Sequence, residues 1–453
     1  MRLALGEQEV AARVDAARGD ELAPPAPWTR VVRRTTLALA GTIPSLEELR
    51  ALEALPATER ADAWLASLVR EPRCHDVIAE RLARALVGTA DGSFVRFRRR
   101  RFVSWLAGAI GEGRPLQAIV VEAISARGLW TDTPAASFLT QEAPDDAPSG
   151  VMPGVLTSRI ARAVLGKRID CAECHDHPFA SFTRADFQGL AAFFATTRVT
   201  GRGVRDVRDV AQGDVVPRVP FDPELLPPAG EPRARLAAWA TRTRAFPRAT
   251  VNRVWSWMLG VPLVGAVDDV GDTVPPELDV LADDFVAHGH DLARLVRVIG
   301  KTRAFRSEAF PVTRLPAATV ARSFLQAGSL TPRAAVGPLM SAFDSIRVGE
   351  MTRRFGEHGE DDADDPGTIA QRLVVMNADE APLADAVARV AASSDDRSAV
   401  DAAFLVVLTR HPSDGERRLF EGRLRGTRGA ARHAAVADVF GALLSATEAS
   451  WDL

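Results

Sequence analysis

The sequence contains no tyrosine, three cysteines and six methionines among its 453 residues. Without tyrosine, no role that needs a phenol hydroxyl has a residue to carry it. Three cysteines cannot build a disulfide framework, and an odd count leaves at least one thiol unpaired. No apolar run reaches the roughly 18 residues a membrane-spanning helix needs, so no transmembrane segment is expected. Neither sign of charge prevails: 56 Lys and Arg face 59 Asp and Glu, a net charge of -3. That balance gives no field to gather nucleic acid. The chain also lacks a Gly-rich phosphate loop, a G-x-S-x-G elbow and an H-E-x-x-H pair, so common nucleotide-dependent and hydrolase mechanisms have no local support. There is no repeat at a fixed period of about 20–50 residues. The opening stretch, MRLALGEQEVAARVDAARGDE, is charged throughout and has no apolar h-region, so it reads as no secretory signal.

What is present is an ordinary globular balance, 47% hydrophobic and 25% charged, in a length that predicts about two to four domains. The pattern is mainly helical. Ser45 with Glu48 and Ser413 with Glu416 have capping-box spacing, and Thr183 precedes Asp186 at the same interval. Apolar periodicity predicts helices over 45–56, 60–70, 76–88, 102–111, 115–126 and roughly 157–169. After 233 it resumes over 291–299, 317–329, 368–377, 380–392, 398–409, 413–425 and 430–448. Between these sets, residues 198–232 are rich in Gly, Val, Asp and Pro and read as a small β-element or linker. The acidic run at 360–365 reads as a solvated loop.

The cysteines carry the chemistry. CAECH at 171–175 is a C-x-x-C-H element. Two thiols three positions apart suit thioether bonds to the two vinyl groups of one haem, and the adjacent His175 suits the proximal ligand to its iron. The same atoms suit other uses. Cys171 and Cys174, with His175 or His177, have the donor types of a zinc site. The two thiols alone suit a dithiol redox pair. A purely structural role is the fourth option. His177 lies too close to His175 to reach the opposite face of one haem. Candidates for that face are Met152, Met258, Met340, Met351, Met376 and His75, and nothing in the sequence selects among them. Phe179, Phe182, Phe187, Phe193 and Phe194 lie close by in sequence, as haem-lining or simply core aromatics.

Around this motif the chain resembles the planctomycete-cytochrome-like domain. TSRIARAVLGKRIDCAECHDHPFASFTRADFQGLAAFFA at 157–195 is similar to its signature, and RVVRRTTLALAGTIPSLEEL at 30–49 extends the likeness. NRVWSWMLGVPLVGAVDDVGD at 252–272, with 275–286 and 290–310, resembles the partner domain that usually follows it. QRLVVMN at 371–377 and FLVVLTRHPSDGER at 404–417 resemble its closing motifs. Both domains are of unknown function. The resemblance implies a mostly helical, exported bacterial protein with cytochrome-like binding at Cys171, Cys174 and His175. It also implies a buried Arg–Asp pairing beside Asn252, Arg253 and Trp255. Phe182 and Phe187 stand where the family tends to have Trp and Tyr, and His290 where a Trp is usual.

Three further clusters stand out. FVRFRRRRF at 94–102 gathers Arg96, Arg98, Arg99, Arg100 and Arg101 between aromatics, and reads as a solvated face. Asp268, Asp269, Asp272 and Glu277 are clustered carboxylates without EF-hand spacing, and Asp272 and Glu277 read as caps. The Cys74-His75 pair reads as a buried thiol beside a surface imidazole.

The expectation is therefore a mainly α, two-part protein: a cytochrome-like helical domain over 1–200, a linker or small β-element over 201–232, and a helical partner domain over 233–453. The leading function is c-type haem binding at Cys171, Cys174 and His175 with a redox or electron-transfer role, served by a redox partner protein. The alternative is an exported structural or interaction protein in which Cys171, Cys174 and His177 hold zinc or nothing. A polymer-processing enzyme using the carboxylates near 268–277 is a third reading. The family implies export and the chain's first residues do not, so a periplasmic and a cytoplasmic location both stay open.

Overall fold

The computed structural model describes residues 5–19, 23–88, 99–141, 150–207, 215–333 and 381–452. The chain is mainly α, with two small two-stranded antiparallel sheets among the described residues. The expected helix over 368–377 and the acidic run at 360–365 lie outside them. The described chain divides into two compact units, each assembled from separate stretches.

The first unit comprises Met1–Asp20, His75–Trp257 and Pro262–Ile299. Its Glu7–Arg18 helix buries Val10, Ala11 and Val14 and packs on the helices Pro276–Ala287 and Leu292–Ile299. The Leu116–Ser125 helix packs on Pro232–Arg242. The expected β-element is a hairpin of Thr197–Thr200 with Gly203–Asp206. Gly203 sits at φ +92 against Gly128, where a Cβ would lie 2.2 Å from the carbonyl carbon, so only glycine permits this approach. The hairpin is locked by one buried ion pair. Arg233, 1% exposed, donates to both Asp206 carboxylate oxygens at 3.0 and 2.8 Å and to the carbonyls of Ile124 and Ala126 at 2.9 and 2.8 Å. Burial pushes the Asp206 carboxyl up, but Arg233, with Thr197 and Arg127, more than offsets this and holds it below its ordinary range. Such a pair compensates its desolvation because the guanidinium has a partner on every side.

The second unit comprises Glu21–Cys74, Met258–Val261 and Gly300–Leu453. The Trp28–Ala40 helix is buried on all faces. That demands partners for its arginines. Arg33 donates to the carbonyls of Val407 and Glu448, and Arg34 to those of Phe305 and Ser307. Trp64 donates its indole N–H to the Thr36 hydroxyl. The helices Ala384–Ala391, Asp396–Leu408, Asp414–Leu424 and Gly429–Leu444 pack on one another. The capping boxes at Ser45 and Ser413 form as the spacing predicts. Thr313–Arg314 pairs with Trp451–Asp452. Burial pushes the Asp452 carboxyl up to about 6, although the positive charges of Arg33, Arg34 and Arg30 oppose the shift.

Candidate functional site

The segment leading to the C-x-x-C-H element departs from the single helix its periodicity predicts over 157–169. The α-helix runs Pro153–Ile160, widens to a π-helical turn over Ala161–Leu165, and stops at Gly166 in the left-handed region at φ 59. A side chain at Gly166 would be strained by that φ and would crowd Ala249, 2.9 Å from its Cβ. The widened turn leaves carbonyls for an outside donor. Arg253, buried at 3% exposure, supplies it, donating to the carbonyls of Ala163 at 2.8 Å and Arg162 at 3.2 Å. The expected buried Arg–Asp pairing therefore does not run through Arg253, whose two terminal nitrogens donate to backbone oxygen; the buried Asp268 makes it with other arginines.

The neighbouring carboxylates pair elsewhere. Asn252 accepts from the N–H groups of Leu263 and Val264 and donates to the carbonyls of Val264 and Ala266, which fixes the loop at 262–272. That loop presents Asp268, which bridges Arg162 at 3.2 Å and Arg168 at 2.7 Å. Arg162 in turn reaches Asp170 at 2.8 Å, the first residue of the motif's own turn. Burial works against the Arg162 charge, yet the Asp170 and Asp268 carboxylates win and raise its pKa. Lys167 pairs with Asp272 and lowers that carboxyl below its ordinary range. Asp272 therefore serves as an ion-pair partner rather than a cap, while Glu277 is buried in the first turn of Pro276–Ala287. These carboxylates face arginine and lysine, not one another, which is no arrangement for an acid/base pair.

On this support sits a 3-10 turn, Asp170–Glu173. The Cys171 carbonyl accepts from the N–H groups of Cys174 and His175, both at 3.3 Å. Three residues per turn bring positions three apart onto one side, so Cys171 and Cys174 project together. Both thiols are free and exposed, and His175 is exposed. Ala172 between them is buried and anchors the turn. The loop then closes on itself: His177 N–H donates to the Phe182 carbonyl at 2.8 Å, and Asp176 accepts from Arg184 N–H at 2.8 Å, beside the Thr183 capping box.

The two histidines are set in opposite tautomers. His175 Nδ1 lies 2.8 Å from the Asp176 carbonyl, which can only accept. Nδ1 therefore carries the proton and the lone pair is on Nε2. A backbone carbonyl on the far nitrogen is the usual way a ligating imidazole is held. His177 Nδ1 instead accepts the Phe179 N–H at 3.1 Å across Pro178, so its proton is on Nε2. For a metal to take Nε2 of His177, the proton would have to move to Nδ1 and meet that N–H. To take Nδ1, the metal would have to displace the donor. The donor set Cys171, Cys174 and His175 thus fits a haem c, whereas His177 is spent on its own loop. Among the described residues, no three His, Cys, Asp or Glu side chains are grouped to hold a metal ion by themselves.

The remaining candidates are dispersed. Met258 is buried, Met152 is exposed, and Met340, Met351 and Met376 lie outside the described residues. Cys74 is buried, and the ring of His75 lies under Gly111. Phe187, Phe193 and Phe194 are core, Phe182 lies edge-on to Phe221, and Phe179 is 93% exposed. Arg99 pairs with Glu80 and Arg101 donates to the Thr131 carbonyl, while Arg96 and Arg98 lie outside the described residues. Sequence reasoning did not assign Arg162 and Arg168, whose pairing with Asp170 and Asp268 steadies the turn. Their signal was the basic run directly before the first cysteine.

Residues 8–199 match the PSCyt2 family model, described as a protein of unknown function (DUF1549). Residues 232–329 match the PSD1 model, also described as a protein of unknown function (DUF1553). No curated protein and no solved structure matches the chain.

Proposed function

We infer that this chain, which belongs to the family joining a PSCyt2 domain to a PSD1 domain, binds haem c through thioethers at Cys171 and Cys174 with His175 as proximal ligand. The observation that carries the reading is the tautomer of His175, whose Nε2 lone pair is presented beside two exposed thiols on one side of a 3-10 turn. A bound haem supplies a one-electron couple. The chain's own residues do the rest. The Asp176 carbonyl keeps the proton on Nδ1 and so leaves the Nε2 lone pair to face outward. Arg162, holding Asp170 and Asp268 together, fixes the turn on which both thiols ride. The exposure of the motif suits electron exchange with a protein partner at the surface. Covalent attachment in bacteria follows export, so this reading carries an exported location with it.

The zinc reading through His177 draws no comparable support, because His177 Nδ1 is engaged by Phe179. The test is to produce the protein with and without haem-attachment machinery in an exporting host. A Soret band that survives acid–acetone extraction, and disappears in Cys174→Ser, is expected. A colourless protein from the competent host would overturn the reading, and one zinc per chain lost in Cys174→Ser would replace it.

A further inference from the structure

We propose that a small cavity inside the first unit binds one weakly hydrated monovalent anion, held by Arg253 and Thr250. The proposal stands apart from the haem reading. The cavity has a volume of about 20 Å³ and lies among the helices Pro72–Val87, Leu116–Ser125, Ala245–Leu259 and Leu292–Ile299. Space of this kind must reach roughly 10–15 Å³ to admit one water. It therefore takes a single small ion or molecule and excludes any ligand with a chain or ring. Leu86, Val120, Val254 and Trp257 help give it a largely apolar wall, and no acidic side chain lines it.

Arg253 brings a charge to this wall that no acid answers. Its Nη1 and Nη2 donate to the carbonyls of Ala163 and Arg162, which are neutral. Its Nε is buried and has no hydrogen-bond partner among the described residues, and none of their carboxylates lies within ion-pair distance of the guanidinium. The other buried arginine of the unit, Arg233, has Asp206. A buried charge is costly unless an opposite charge and hydrogen bonds offset it. A water at Nε would satisfy the donor and leave the charge, whereas an anion answers both. Thr250 stands three residues before Arg253, on the same side of the helix and in the same wall, and its hydroxyl can donate as well. The apolar remainder of the wall selects an anion that sheds its water readily, such as bromide, nitrate or chloride, over phosphate or sulfate. Because the same guanidinium holds the π-helical turn, a bound anion would also fasten the clamp on Arg162 and Ala163.

The test is a crystal of the full chain grown in sodium bromide, with data collected at the bromine absorption edge. The expected result is one anomalous peak in the cavity, within hydrogen-bonding reach of Arg253 Nε and Thr250 Oγ1. In solution, replacing fluoride by bromide at constant ionic strength should raise the Tm of wild type in a saturable way. Thr250→Val keeps the shape and loses the hydroxyl, and should need several-fold more bromide for the same rise. A cavity holding only a water, bromide peaks confined to the protein surface, or a wild-type Tm that does not respond would each overturn the anion site. A Thr250→Val protein that responds as wild type does would overturn the pair of donors proposed for it.

Discussion

The C-x-x-C-H turn and the arginine clamp behind it lie within one unit and follow opposite rules. At the turn, Cys171, Cys174 and His175 are exposed and bonded to little beyond their own loop. Behind it, Arg253 is 3% exposed and grips the carbonyls of a π-helical turn, and Arg233 is 1% exposed with four polar partners. On the proposed reading the first region would carry the chemistry while contributing little to the fold, and the second is placed to hold the fold. The contrast explains how a short surface loop keeps a fixed geometry: Arg253 behind it donates from both terminal nitrogens to backbone carbonyls that would otherwise be costly to leave unpaired.

The contrast breaks first at Arg233. Arg233→Met leaves the buried Asp206 to the half-exposed Arg127 and the Thr197 hydroxyl, strands the carbonyls of Ile124 and Ala126, and should cost about 3 kcal/mol in urea unfolding of the first unit. A loss below about 1 kcal/mol would mean the pair contributes little. Next is a pH effect in the second unit. Asp452 has a folded pKa raised to about 6. A raised acid stabilises the fold fully below its unfolded value, near 3.9, and that contribution is lost as pH rises through about 6. Asp452→Asn should therefore match wild type in acid and be the more stable protein above pH 6, by on the order of 2–3 kcal/mol at neutrality. Equal pH profiles for the two proteins would refute this. Third, Arg253→Met strands the carbonyls of Arg162 and Ala163 and should cost about 1–3 kcal/mol, read by the same unfolding curves. The smallest effect belongs to the turn. Cys174→Ser in haem-free protein should leave stability within about 0.5 kcal/mol of wild type, because the thiol is exposed. A larger loss would make the cysteine structural.

What sequence made legible follows the range of the interactions. The capping boxes at Ser45, Thr183 and Ser413 are local and form as spaced. The mainly α class, the hairpin near 198–232 and the C-x-x-C-H element are local too. The π-helical turn was not legible, because apolar periodicity does not report where an arginine ninety residues away will take the carbonyls. For the same reason the resemblance suggested an Arg–Asp pair without its partners: Asp268 meets Arg162 and Arg168, while Arg253 meets backbone. The tautomers of His175 and His177 were not legible, since they depend on which backbone group each ring meets. The interleaving of Met258–Val261 with the second unit is likewise a product of long-range packing.

The central claim, that this turn is built to carry haem, is tested most directly by the intact mass of the denatured chain after export through a haem-attaching host. The account predicts a mass raised by one haem, held through denaturation and lost when Cys171 and Cys174 are both changed to Ser. An unmodified mass from that host would contradict it.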